Sequence, residues 1–145
     1  MNLEDEVMQI LDSIKLKDIK SMKEIEKQNN EVVDIVYDKF MKFKNNKQNK
    51  EETKKKLKDK GYEYIDDVED LINYDPISAL NLNDFFDLKL TFLGSFINIK
   101  ENNRILLKTF SHSYWQVDIN KHILFRKIRA KNKVKMLLID TINNI

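Results

Sequence analysis

The chain of 145 residues contains no cysteine, one proline, two glycines and one tryptophan. Without cysteine there is no disulfide scaffold, no thiolate zinc site and no cysteine nucleophile, and a reducing compartment is the expected home. Two glycines are too few for a phosphate-cradling loop or for the tight turn on which a nucleophilic serine usually sits, which sets nucleotide hydrolysis and serine chemistry aside. The two histidines, His112 and His122, have no third ligand in a zinc-like spacing. No catalytic group, metal or cofactor is therefore expected. Apolar runs last only a few residues, against the ~18 that a membrane span requires, and the acidic start Leu3-Glu4-Asp5-Glu6 is unlike a signal peptide. The expectation is a soluble, cytoplasmic protein with no membrane partner, working inside a cell or in the host cell of a virus or mobile element.

Arginine is also scarce: Arg104, Arg126 and Arg129 stand against 23 lysines. Lys, Asn and Ile together supply 56 residues, a bias that A/T-rich codons alone would produce, so a lysine patch carries less information here than an arginine. Arginine's planar guanidinium grips phosphate and carboxylate bidentately, and lysine does not. The net charge of +2 hides blocks. Residues 1–40 carry −4, residues 41–60 carry +6, residues 61–90 carry −7 and residues 91–145 carry +7. Such blocks either face one another, within the fold or in self-association, or meet a charged partner.

The periodicity predicts a single α+β domain over 1–145, with N-terminal helices, a three- to four-stranded antiparallel meander and a closing C-terminal helix. Residues 1–60 read as a helical arm. A first amphipathic helix runs from Leu3 to Lys27 with a phase slip near Lys15-Leu16-Lys17. Gln28-Asn29-Asn30 offers a stop and an N-cap for a second helix carrying Val32, Val33, Val36, Phe40 and Phe43 on one face. The segment Lys44 to Lys60 has Leu57 as its one large apolar residue, so it reads as a solvated helix extension or a mobile loop, ended by Gly61 as a C′ residue. Residues 61–87 read as a short acidic helix, from about Asp66 to Tyr74, and a linker marked by Pro76. Residues 88–128 alternate with period two, broken at Glu101-Asn102-Asn103, Ser111-His112-Ser113 and Asn120-Lys121, where Asn tolerates the turn backbone. Gly94 inside the first strand suggests a bulge. Helical spacing returns over 131–143, at Val134, Leu137, Leu138 and Ile142.

Three functional readings follow. The first is a non-catalytic protein that binds nucleic acid, or a nucleic-acid-handling protein, through a basic surface flanked by aromatic residues. Alternation places Trp115, Val117, Ile119, Ile123 and Phe125 toward the core and Tyr114, Gln116, Asp118, His122, Leu124 and Arg126 on the opposite face, with Lys127, Arg129, Lys131, Lys133 and Lys135 just beyond. Lys121 to Lys135 includes seven Lys or Arg and no acid. The second reading is an inhibitor or immunity-type protein of a phage or mobile element, which occludes a partner protein through an acidic surface at Asp66, Asp67, Glu69 and Asp70. The third is a metal-dependent nuclease built on Asp87-Leu88-Lys89, a triplet form that recurs at Asp18-Ile19-Lys20 and Glu52-Thr53-Lys54 as chance would have it in so lysine-rich a chain.

Overall fold

The computed structural model of the chain describes residues 5–6 and 21–143. The fold is α+β, and the elements ranged over the described residues 21–143 are two helices, a six-stranded antiparallel sheet and a C-terminal helix. The helices are α1 (Met22–Asp38), α2 (Asn46–Lys60) and α3 (Ala130–Asn143). The strands are β1 (Tyr62–Tyr64), β2 (Pro76–Asn81), β3 (Leu90–Lys100), β4 (Arg104–Lys108), β5 (Tyr114–Asp118) and β6 (His122–Lys127). Most of the expected first helix, including its phase slip near Lys15, lies outside the described residues. The described residues fall into two compact units, one of residues 28–127 and one of the described residues before 28 together with those from 128 to 143. In the smaller unit Met136, the buried residue of α3, packs with Ile25, Ile128 and Met22. The two apolar clusters on the sheet are built from residues of the larger unit.

The sheet has six strands rather than three or four because β1 and β2 arise from the stretch read as acidic helix and linker. Pro76 is the first residue of β2, where a missing N–H costs the ladder little. Ile77, Ser78, Ala79 and Leu80 are all buried, so the strand shows no alternation to read. The acidic helix is reduced to one 3-10 turn, Val68–Asp70, whose entry is capped by the Asp67 carboxylate accepting the Glu69 N–H at 2.9 Å.

The strand order is β1-β6-β2-β3-β4-β5. The hairpins β3-β4 and β4-β5 follow the meander, with Asn102, Asn103 and His112 at positive φ in the turns. Strand β6, however, lies four places from β5, although only Ile119–Lys121 separates them. Four spacings of ~4.8 Å put the two strands about 19 Å apart in a flat sheet, more than the ~14 Å that the link could span fully extended. The sheet must therefore curl on itself.

Both faces of the curled sheet are packed. Ile77, Ala79, Leu124, Phe96, Ile105, Leu107 and Val117 form one cluster with Ile65 and Leu71 of the acidic loop. Leu80, Phe125 and Tyr62 form the other, against Val33, Val36 and Tyr37 of α1 and Leu57 of α2. Gly94 sits at the expected bulge, where Ile77 pairs Gly94 but Ser78 pairs Phe92, leaving Leu93 as the extra residue. Its φ is +143°, and a Cβ there would lie 2.7 Å from the Lys108 carbonyl oxygen.

The residues 44–60 are helical over Asn46–Lys60, and the loop alternative is wrong. The buried stripe of α2 is Asn46, Asn49, Thr53 and Leu57, three of them polar, so the side that docks looks hydrophilic in the sequence. Asn46 donates to the carbonyls of Phe40 and Phe85 at 2.9 and 2.8 Å and accepts the Leu88 N–H at 2.9 Å. Asn49 donates to Asp87 at 2.7 Å. Gly61 ends α2 with φ +69°, its N–H returning to Leu57 and Lys58, as a C′ glycine should. Asn29 and Asn30 do not stop a helix, since α1 runs through both. Asn29 instead covers the outer edge of β1. Its amide donates to the Tyr62 carbonyl and its oxygen accepts the Tyr64 N–H, both at 2.9 Å.

Candidate nucleic-acid interface

The register decides which candidate residues share a surface. On β5, Trp115 pairs Leu107 and Val117 pairs Ile105, which places them on the face of Ile77 and Ala79. On β6 it is Leu124 that pairs Ala79, and Arg126 that pairs Ile77, so these two residues and His122 share the face of Trp115. Tyr114 and Gln116 lie on the opposite face, that of Ile123 and Phe125. The expected grouping of Tyr114, Gln116, His122 and Arg126 on one face is thus corrected. Alternation holds within each strand, but β5 and β6 are not neighbours and the 3-10 link shifts the phase between them.

Arg126 is held inside the fold. Its Nε donates to Glu63 at 2.6 Å and one terminal nitrogen donates to the Asp70 carbonyl at 2.6 Å, with Asp75 at 3.8 Å. Its side chain is only 13% exposed. His122 Nδ1 donates to the Asp118 carbonyl at 2.8 Å. Arg129, Lys131, Lys133 and Lys135 belong to the smaller unit, while Tyr114, Gln116 and Lys127 remain on the sheet of the larger one. The acidic candidates Asp66, Asp67, Glu69 and Asp70 are all exposed. The Asp67 carboxylate is engaged in its own turn, and Asp70 lends its carbonyl to Arg126.

On the face of Tyr114 and Gln116, the helices cover β1, β6, β2 and the start of β3. Beyond that cover the face opens into a groove of about 420 Å³, bordered by Lys56 and Lys60 of α2, Lys127 of β6, Ser78, Phe92 and Phe110 among others. Phe110 is 87% exposed, and its ring stacks on Phe92 with centroids 5.1 Å apart and planes 25° from parallel. Ser95 continues the groove wall. Its partner Lys108 pairs Tyr114 and holds its ammonium 5.8 Å from the Tyr114 ring centroid. Tyr114 is 58% exposed and Gln116, two positions along β5, is exposed as well. Among the described residues, no carboxylate borders the groove.

Sequence reading misses Lys56, Lys60, Phe92 and Phe110, because three remote segments converge only through the strand order. One signal is available: Phe110 follows Lys108 at the end of a strand and precedes a polar turn, where an apolar side chain has nothing local to cover it.

Among the described residues no group of three or more His, Asp or Glu is placed to hold a metal ion. In the triplet Asp87-Leu88-Lys89, the Asp87 carboxylate accepts from Asn49 and lies 3.5 Å from Lys89, and Leu88 is fully buried. No described helix is long and apolar enough to cross a membrane. The chain matches no family model, no curated protein and no solved structure.

Proposed function

We propose that the protein binds nucleic acid through the open, basic and aromatic part of its sheet. The observation that carries this reading is the groove itself, in which three lysines and an exposed pair of stacked phenylalanines meet with no acidic side chain among them. Lysines at a groove rim attract the phosphate backbone by displacing its counterions, and exposed rings offer bases a surface to stack on. The site lies wholly within the larger unit and keeps Tyr114, Gln116 and Lys127 from the sequence reading. Arg126 is excluded as a contact because its guanidinium is already engaged by Glu63 and Asp75.

The test is fluorescence anisotropy with labelled oligonucleotides across about 50 to 200 mM salt. Binding should weaken steeply with salt. Changing Lys56, Lys60 and Lys127 together to Ala should make the log–log slope shallower by up to ~0.7 to 0.9 for each phosphate that is no longer neutralised. No salt-dependent binding, or a slope unmoved by the triple change, would overturn the reading. If binding of a protein partner were instead abolished by charge reversal at Asp66 and Glu69, an occluding inhibitor would take its place.

A further inference from the structure

We infer that the ligand of this surface is a single strand, gripped by its bases and backbone together and read with little regard to base sequence. This rests on the proposed nucleic-acid function and narrows its substrate class. Two rings carry the inference. Phe110 leans one face on Phe92 and turns the other to solvent, on a residue 87% exposed. Tyr114 lies farther along the same sheet face, beyond Lys108. Large apolar rings left this open on a strand end cost solvation and contribute nothing to the packed clusters, so their placement is explained by a partner that covers them.

A duplex cannot supply that cover. Its base faces are already stacked on one another, and it presents phosphates and groove edges, whereas a single strand has free base faces for aromatic side chains. The cationic side of the site points the same way. Lys56, Lys60 and Lys127 are flexible point charges, suited to following a backbone, and no arginine is in the groove to fork onto a guanine edge. The Ser95 hydroxyl in the groove wall and the exposed Gln116 amide farther along the face are neutral polar groups, and each can donate to or accept from any base. Lys108 above Tyr114 adds a cation at the far end, placing charge at both ends of the aromatic surface.

The experiment compares a short homopyrimidine strand, a mixed-sequence strand and a duplex of the same length, at matched salt concentrations, with wild type, Phe110→Ala and Tyr114→Ala. The two strands should bind alike and at least about tenfold more tightly than the duplex. Each aromatic change should weaken strand binding by about 5- to 150-fold, the equivalent of ~1–3 kcal/mol for one stacked base, without altering the salt slope. Both rings are exposed, so thermal melting should be unchanged and failure to fold is not an explanation. Duplex binding as tight as strand binding, with both aromatic changes silent, would overturn the single-strand inference and leave the nucleic-acid reading standing. Absence of salt-dependent binding to all three ligands would overturn both.

Discussion

Tyr37 shows how much one side chain can join. Its hydroxyl donates to the Leu88 carbonyl at 2.8 Å, and since that carbonyl can only accept, the Thr53 hydroxyl at 2.8 Å must be the donor to Tyr37. One phenol thus ties α1, α2 and the approach to β3 together. Burial is the chief cause that pushes its pKa up to about 12, from 10.0. The folded state therefore favours the neutral phenol, and this contribution is whole below pH ~10 and disappears as pH rises through about 12. In an alkaline titration followed by tyrosinate absorbance, one of the five tyrosines should ionise late or only with unfolding, and Tyr37→Phe should remove that step. The same change should cost about 1–3 kcal/mol in urea denaturation, because it leaves the buried Leu88 carbonyl without its donor. Trp115 is the contrasting case. The sequence reading buries it, yet it sits on edge strand β5, 40% exposed, its indole N–H donating to the Leu93 carbonyl at 3.1 Å. Its truncation should cost less than the ~3–5 kcal/mol of a fully buried aromatic.

At the scale of elements, the bulge in β3 and the polar stripe of α2 are the two local features that the tertiary fold depends on. Gly94→Ala places a methyl group against backbone at a positive φ, where neither atom nor torsion has room to give. It should lower the melting temperature sharply or prevent folding, while Gly61→Ala, with no heavy atom within 4 Å of the new Cβ, should cost only the strain of its φ. Calorimetry on the pair separates steric from torsional cost. Helix α2 carries five lysines between Lys54 and Lys60, which would make an unpacked segment the first target of trypsin. Packed through Asn46, Asn49, Thr53 and Leu57, it should survive limited digestion, and first cuts mapped by mass spectrometry should fall outside it.

For the molecule as a whole, the alternating charge blocks meet in pairs. Lys50 and Lys54 from the first basic block reach Asp34, and Lys50 reaches Asp38, at 2.6 to 3.4 Å. The hydrogen bond from Lys54 holds the Asp34 carboxyl below its usual range, so this pairing stabilises above the ordinary carboxylate pKa and disappears as pH falls through the lowered one. Arg126 from the second basic block joins Glu63 and Asp75 of the acidic one. Alternation alone makes Arg126 a partner-facing residue whose removal would leave melting unchanged. In the fold, Arg126→Ala takes the cation away from the half-hidden Glu63 carboxylate and from buried Asp75, which keeps the Ile72 N–H, and should destabilise by about 3–5 kcal/mol, measured by chemical denaturation, with binding affected only as far as the fold is. The sequence by itself determined the α+β class, the Asn-bearing turns, the Gly94 bulge, the glycine end of α2 and the presence of lysine and aromatic chemistry, because each depends on local torsions or on spacing along one segment. Only the tertiary structure decided the strand order, the two faces and the residues that meet at the groove. Alternation sorts side chains within a strand but cannot say which sides of two strands agree until their neighbours are known. A strand buried on both faces, like β2, has no alternation to offer. A helix that docks through amides, like α2, looks solvated until partners some forty residues away, Phe85, Asp87 and Leu88, satisfy it.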